Sequence, residues 1–188
     1  MQLDKDIHSS LQVIKSLINH SKDIHQSILK IYKAIKDGKK IYICGNGGSA
    51  AEAQHFAAEF LIRLNPKKNR KPFPIISLAM DTSTLTACGN DFNFKYIFSR
   101  NLEALGNKGD ILIVLSTSGN SQNIIEVLKM AKKQKIYSIG LLGSSGGKAK
   151  SLVNLNIIVK SKDVARVQEA HLFIGHHILN EVEKKLLP

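Results

Sequence analysis

The order of apolar and polar residues divides the chain into two parts. From Leu3 to Ile35, apolar residues recur mostly at alternating steps of three and four, which predicts helix with one apolar seam. Polar residues near position 20 interrupt the seam, so a bend or hairpin is expected there, with Ser21 or Asp23 capping a second helix that ends near residue 37. After residue 38, short apolar runs alternate with helical patterns, which predicts strands separated by helices.

The apolar runs of the second part predict a parallel sheet. Residues 111–115 are large and apolar without alternation, so both faces of this strand must be covered, as in a central strand between helical layers. The predicted fold class is α/β, a three-layer sandwich with a five-stranded parallel sheet flanked by helices. One domain is expected over residues 1–188, with an N-terminal helical segment at 1–37 and an α/β core at 38–188. The predicted strands are residues 40–44, 75–78, 111–115, 138–142 and 155–159.

A hydroxyl-rich turn follows the strand at 111–115. Gly119 allows a tight turn, and the apolar periodicity after it predicts a helix whose free N–H groups would attract an anion. The alternative is an ordinary serine-rich turn with a serine N-cap. The hydroxyls of this turn come from Ser116, Thr117, Ser118 and Ser121.

A glycine-rich turn follows the first strand, at residues 45–50. It fits the Gly-x-Gly-x-x-Ala pattern of dinucleotide-binding turns, which also need an acidic residue about 20 positions further on. The candidate here, Asp81, lies 36 residues past Gly45, so a substrate is the better occupant for this turn. A second glycine-rich run at 143–148 has one residue too few for a P-loop and lacks the hydroxyl that holds magnesium, which excludes an ATPase.

Ligand-capable side chains occur on two predicted helices. His55 and Glu59 are four residues apart after the first glycine-rich turn, so they share a helix face that could hold one divalent metal, or a base against a substrate. An exposed helix pair is the alternative. The last predicted helix, at 166–187, carries Gln168, His171, His176 and His177, and we assign no role to His171 or His177.

Composition narrows the class of protein. The chain has 27 Lys and Arg against 15 Asp and Glu, a net charge of +12, which raises the question of nucleic acid. The basic residues are spread over nearly every segment, and their one local cluster has no interleaved aromatic residues. We therefore expect that cluster to be a solvated loop and expect no nucleic acid partner. The cluster consists of Lys67, Lys68, Arg70 and Lys71.

The sequence shows no pattern typical of a membrane span, an exported protein or a cysteine-based site. The longest apolar runs are five or six residues, far short of the roughly 20 that cross a bilayer, and the first residues lack the layout of a signal peptide. We expect no membrane association and a cytoplasmic location. Cys44 and Cys88 have no disulfide or metal spacing, so no cysteine-based site is expected.

Four segments carry a family resemblance. The turn at 116–121 (Ser-Thr-Ser-Gly-Asn-Ser), after its apolar strand, resembles the sugar-phosphate loop of sugar isomerase (SIS) domains. The segments at 44–49 (Cys-Gly-Asn-Gly-Gly-Ser), 89–94 (Gly-Asn-Asp-Phe-Asn-Phe) and 166–171 (Arg-Val-Gln-Glu-Ala-His) resemble, more narrowly, the bacterial phosphoheptose isomerases. Together these segments span most of the chain in the order of that family.

The resemblance implies an SIS-type fold and a reaction. Members of the family convert sedoheptulose 7-phosphate to D-glycero-D-manno-heptose 7-phosphate through an enediol, the first step towards ADP-heptose or GDP-heptose for lipopolysaccharide core or capsule. The resemblance implies Glu59 as the catalytic base and His176 as the acid. The implied metal ligands are His55, Glu59, Gln168 and His176. The implied substrate-binding residues are Asn46, Gly47, Gly48, Ser49, Glu59, Asn90, Asp91, Ser116, Thr117, Ser118, Ser121 and Gln168.

The chain departs from the family pattern at one position near the site. Ala165 stands where some members have Asp, just before the arginine that is Arg166 here. An additional sugar contact at this position is therefore in question.

The resemblance also implies a homotetramer that binds zinc, one ion per subunit. Glu59 cannot be a tight ligand and a free base at once, so the zinc is expected to be labile. Gln168 and His176 are eight residues apart, which on a regular helix is a rise of about 12 Å and a rotation of about 80°. A common site then needs either an irregular helix start at Gln168 or a ligand from another subunit. Because the N-terminal seam also lacks a partner, our hypothesis places the active sites at subunit interfaces.

Three other functions remain open from the sequence alone. Some SIS proteins of this size are adaptors that bind the replication initiator, and others regulate transcription by sensing a sugar phosphate. The third alternative is an isomerase for another ketose phosphate. A pure binding module need not keep Glu59 and His176 at matching positions, so their presence favours an enzyme.

Overall fold

The computed structural model describes residues 2–67 and 69–187. Its N-terminal part confirms the predicted interruption of the helical seam, because a short 3₁₀ turn separates two helices. The predicted capping is wrong: His20 is the N-cap residue, and the Ser21 hydroxyl donates to the carbonyl of Ile18 instead. The elements are α1 (Gln2–Ser16), the turn Leu17–His20 and α2 (Ser21–Lys36).

Five parallel strands form one sheet in the order β2–β1–β3–β4–β5. The central strand β3 is buried at all six positions. Its side chains alternate between two cores, with Ile111, Ile113 and Leu115 in one and Leu112 and Val114 in the other. The prediction of a strand covered on both faces is confirmed. The strands are β1 (Ile41–Cys44), β2 (Ile75–Ser77), β3 (Ile111–Ser116), β4 (Tyr137–Gly143) and β5 (Leu155–Val159).

Helices cover both faces of this sheet, which gives the three-layer sandwich that the sequence predicts. One core contains residues of α2, α3 and α7, and the other contains residues of α5 and α6. Among the described residues, no helix is long and apolar enough to cross a membrane. The remaining helices are α3 (Gly48–Leu61), α4 (Thr82–Asp91), α5 (Ile97–Leu105), α6 (Gln122–Lys133) and α7 (Val164–Leu186), and two further 3₁₀ turns span Phe94–Tyr96 and Lys148–Ser151.

A close approach of α3 and α7 positions the site. A Cβ atom on Gly175 of α7 would lie 2.1 Å from Cζ of Phe56 on α3, so glycine is needed for this ring to pack against the helix backbone. Phe56 is only 2% exposed, which makes the contact part of the core. The chain neighbours of these two residues, His55 and His176, are thereby brought together.

The helix α1 lies on the outside of the same layer. It contacts α7, where the Ser10 hydroxyl donates to Glu169 at 2.8 Å and Arg166 donates to the Asp6 carbonyl at 3.1 Å. None of the described residues of α1 is buried. Val13 and Ile14 are half-buried against the core, whereas Leu3 and Ile7, at 62% and 48% exposure, stay in water.

Candidate active site

His55 and Glu59 on α3 meet His176 on α7. The Nε2 atoms of the two histidines are 2.8 Å apart, and His55 Nε2 is 3.8 Å from Glu59 Oε1. One ligand atom from each of the three residues lies within 4.8 Å of the others. The structure therefore gathers both predicted catalytic groups and three of the four predicted metal ligands within one chain.

The surroundings of this cluster favour a neutral imidazole and leave a carboxylate oxygen without a partner. Desolvation lowers the pKa of His176, the neighbouring His55 lowers it further, and Glu59 opposes both effects. Near pH 7 a neutral imidazole can bind a metal or accept a proton. Glu59 Oε2 is buried and has no hydrogen-bond partner among the described residues, which is costly for a carboxylate. A cation held by two histidines and a glutamate would satisfy this oxygen, so the residues present fit zinc.

Gln168, the fourth predicted ligand, packs over the start of α3. A Cβ atom on Gly48 would lie 2.4 Å from Gln168 Nε2, so the amide rests directly against the glycine. The helix α7 begins at Val164 and runs without interruption through Gln168, so the irregular start, one of the two alternatives for a common site, is not formed. A second subunit is also not needed to bring His176 to His55 and Glu59, because the α3–α7 contact does so within the chain. A ligand role for Gln168 stays a prediction.

Glu52 is a further candidate that the sequence motifs do not single out. Burial raises its pKa to about 7, and a hydrogen bond with Ser49 opposes this rise. Its Oε2 atom is buried and has no partner within the described chain. A carboxyl group with a pKa near 7 can exchange a proton at neutral pH. The available signal was its spacing of three and seven residues from His55 and Glu59, which places all three on one helix face.

The hydroxyl-rich turn at 116–121 connects β3 to α6. The Ser116 hydroxyl shapes the turn by accepting a hydrogen bond from the Gly119 N–H at 3.0 Å. Ser121 is the N-cap residue of α6, but its side chain makes no capping hydrogen bond in the described structure. The ordinary serine cap is therefore not formed. The Ser118 hydroxyl accepts from the Asn120 N–H at 3.2 Å and keeps its own proton, so the Ser118 and Ser121 hydroxyls and the first N–H groups of α6 are available to an anion.

A reciprocal amide pair joins this turn to the glycine-rich turn after β1. Asn46 Nδ2 donates to Asn123 Oδ1 at 2.9 Å, and Asn123 Nδ2 donates to Asn46 Oδ1 at 2.8 Å. Asn123 is 2% exposed, and no motif points to it because its partner is distant in the sequence. The pair holds both turns side by side at the carboxyl edge of the sheet, where ligands of parallel α/β proteins bind.

Asn90 and Asp91 form the exposed last turn of α4, where Asn90 Nδ2 donates to Asp91 Oδ1 at 2.8 Å. The helix continues through Gly89. The roles in substrate binding stay predictions for Asn46, Gly47, Gly48, Ser49, Glu59, Asn90, Asp91, Ser116, Thr117, Ser118, Ser121 and Gln168.

Arg70 is buried, although the sequence predicts a solvated loop at this position. Its side chain is 1% exposed and its Nε atom lies 2.8 Å from Oε2 of Glu183, itself 3% exposed. The prediction is wrong for Arg70 because the guanidinium finds a carboxylate on α7. Lys67 and Lys71 are exposed, and Lys68 lies outside the described residues.

Known proteins resemble this chain in both sequence and fold. The SIS domain family matches residues 6–143, more than half of the chain. A phosphoheptose isomerase of Clostridium acetobutylicum is 46% identical over 187 residues, covering 98% of this chain and 94% of the relative. One of Campylobacter concisus is 52% identical over 150 residues, covering 80% and 78%. The solved phosphoheptose isomerases of Francisella tularensis and Neisseria gonorrhoeae have TM-scores of 0.92 and 0.90 at 33% identity, and each comparison covers 97% of both chains.

The parallel sheet with its paired turns and the match along residues 6–143 define a sugar isomerase (SIS) domain protein. Phosphoheptose isomerases that are 33–46% identical to this chain match it over 97–98% of its length. The chain belongs to the phosphoheptose isomerase family.

Proposed function

We propose that this protein converts sedoheptulose 7-phosphate to D-glycero-D-manno-heptose 7-phosphate. The observation that carries the proposal is the convergence of His55 and Glu59, on the helix α3 that starts at one of the two paired turns, with His176 on α7. Membership of the phosphoheptose isomerase family supports it. The product would supply heptose for a surface polysaccharide such as lipopolysaccharide core or capsule.

The reaction moves a hydrogen between two carbons without net oxidation. A base removes a proton from C1 of the ketose, which gives an enediolate with its charge on O2; a proton then moves from O1 to O2, and C2 gains the proton held by the base, which gives the aldose. Glu59 is the proposed base at carbon. His176, neutral because of its lowered pKa, takes the proton from O1 and delivers it to O2.

A zinc ion fits the cluster of His55, Glu59 and His176, with Gln168 as the fourth ligand that the family resemblance implies. When bound, zinc polarises the substrate carbonyl and offsets the charge of an enediolate. The Glu59 carboxylate must dissociate from the zinc ion before it can act as a base, so we propose that the ion, one per chain, is labile.

The proposed assembly is a homotetramer in which copies of the N-terminal helices cover one another. The exposed apolar residues of α1 continue into a groove of about 480 Å³ between α1, α2 and α7, which includes Ile18 and Phe173 at 75% and 52% exposure. Burial of such a patch against other copies removes apolar surface from water. Sedimentation that finds a monomer at micromolar concentration would contradict the tetramer. The cytoplasmic location stays a prediction.

The test of the activity is turnover of a panel of ketose phosphates by the zinc-loaded protein. We expect aldose formation to be fastest with sedoheptulose 7-phosphate among ketose phosphates of five, six and seven carbons, and Glu59→Gln serves as the inactive control. Faster turnover of a shorter ketose would favour the alternative isomerase. Tight binding of the heptulose phosphate without turnover would contradict an enzyme and favour a sensor or an adaptor.

A further inference from the structure

A buried ion pair links the segment after α3 to α7. Arg70 Nε donates to Glu183 Oε2 at 2.8 Å, and the two side chains are 1% and 3% exposed. The guanidinium also lies over the ring of Phe73, with its carbon atom 4.1 Å from the ring centroid. Because taking two charges out of water is costly, such a pair needs good geometry and further hydrogen bonds to persist.

The remaining donors of Arg70 cap the end of α3. Nη2 donates to the carbonyl of Glu59 at 2.9 Å, and Nη1 donates to the carbonyls of Phe60 and Lys71 at 2.9 and 3.1 Å. The carbonyls of Glu59 and Phe60 belong to the last turn of α3, where carbonyl groups have no N–H donor from the helix itself. One of these carbonyls belongs to the proposed base, so Arg70 holds the backbone from which the Glu59 carboxylate extends.

Glu183 stands on the face of α7 that carries His176. Seven residues along a helix are about two turns, with a rise of about 10 Å and about 20° of residual rotation. Arg70 is therefore bonded at one end to the backbone of Glu59 and at the other to the helix of His176.

We propose that Arg70 and Glu183 are positioning residues of the active site. The pair fixes the last turn of α3 against α7 and so sets the separation between the Glu59 carboxylate and the His176 imidazole. The contact of Phe56 with Gly175 brings the two helices together, but an apolar contact has no direction. The four hydrogen bonds of the planar Arg70 guanidinium are directional, so they fix the orientation of the last turn of α3.

The test uses the zinc-loaded protein with the whole chain of 188 residues, and three variants. Arg70→Met combined with Glu183→Leu removes both buried charges together, which favours a folded protein. Arg70→Lys keeps a positive charge near Glu183, but its single ammonium nitrogen cannot reach the carboxylate and both helix carbonyls at once. Lys71→Met is the matched control, because it removes an exposed cation from the adjacent position.

The expected result is a split between kcat and KM. In the double variant and in Arg70→Lys, kcat should fall about tenfold to a hundredfold, because a displacement of about 1 Å has this effect, while KM stays within about twofold of the parent. Competition with a chelator should show about tenfold weaker zinc binding in the same two variants. Lys71→Met should match the parent in all three quantities.

Parental kcat together with parental zinc affinity in folded Arg70→Lys would overturn the proposal, and so would a loss expressed only in KM. If the double variant does not fold, Arg70→Lys decides alone. The rate effect rests on the proposed function, whereas the zinc effect does not. A parent without isomerase activity would thus contradict the function, and chelator competition would still test the pair.

Discussion

The hydroxyl-rich turn and the histidine–carboxylate cluster are assembled in opposite ways. The turn is contiguous in sequence, and a local hydrogen bond from Gly119 to Ser116 shapes it. The cluster joins His55 to His176, which are 121 positions apart, and it depends on the packing of α3 against α7. The turn should therefore respond mainly to the loss of its own side chains. The cluster should respond also to changes in the core beneath it.

The largest effect is expected at the cluster itself. Glu59→Gln and His176→Asn should each lower kcat by at least about a hundredfold in a folded protein, because each removes a group that moves a proton. Progress curves with sedoheptulose 7-phosphate measure the loss, and thermal melting checks the fold. A mixture of the two variants should stay inactive after subunit exchange, since one chain supplies both groups. Recovered activity would mean that the groups act across subunits.

The next effect is expected at the turn. Replacing Ser118 and Ser121 together by Ala should weaken substrate binding by about 3–6 kcal/mol, if each hydroxyl donates one charge-assisted hydrogen bond of about 1.5–3 kcal/mol to phosphate. Titration calorimetry of the sugar phosphate measures the change. Unchanged affinity would mean that the phosphate binds elsewhere and that the hydroxyl-rich turn is not a phosphate site.

His171 is buried on α7, between Gln168 and His176. Desolvation lowers its pKa to about 4, and the Leu142 backbone opposes this shift. The unfolded chain therefore binds the proton more readily, so the stabilising contribution is complete above the ordinary histidine pKa and is lost as the pH falls towards 4. We expect the parent to lose about 3 kcal/mol of unfolding free energy from this group between pH 7 and pH 4. Urea unfolding of His171→Leu should lack this part of the acid dependence, and an identical pH profile would contradict the shift.

The same substitution made at two glycines, one at each end of the α3–α7 contact, should have the smallest effect of those considered. Gly175→Ala places a Cβ atom 2.1 Å from the buried Phe56 ring and should cost about 1–3 kcal/mol of stability, since the core is overpacked. Gly48→Ala places a Cβ atom 2.4 Å from the end of the flexible Gln168 side chain, which can move aside. Its effect on stability should stay within about 1 kcal/mol. Equal losses of unfolding free energy in the two variants, measured by chemical denaturation, would contradict the expected difference.

The fold could be predicted well because its signals are local. The unbroken apolar run at 111–115 specifies a central strand, and the runs near it specify the rest of the sheet. The capping prediction at Ser21 failed because a serine can bond backwards to a carbonyl as readily as forwards to an N–H. Such a choice depends on the geometry of the bend, which the sequence pattern does not contain.

The candidate site could be predicted only in part, because some of its partners are distant. His55 and Glu59 share a helix face and can be found from their spacing. Nothing near Arg70 indicates a carboxylate 113 positions further on, so its charge suggests solvent although it is buried. The sequence does not indicate that Glu52 is partly buried, and its raised pKa is a consequence of that burial.

The amide pair of Asn46 and Asn123 makes the two turns at the sheet edge one cooperative unit. Neither turn can open without breaking both hydrogen bonds, in surroundings where the Asn123 side chain has little access to water. In hydrogen exchange, the backbone amides of both turns would therefore report a single opening event. A phosphate bound to one turn would slow exchange in the other, although it touches no atom there.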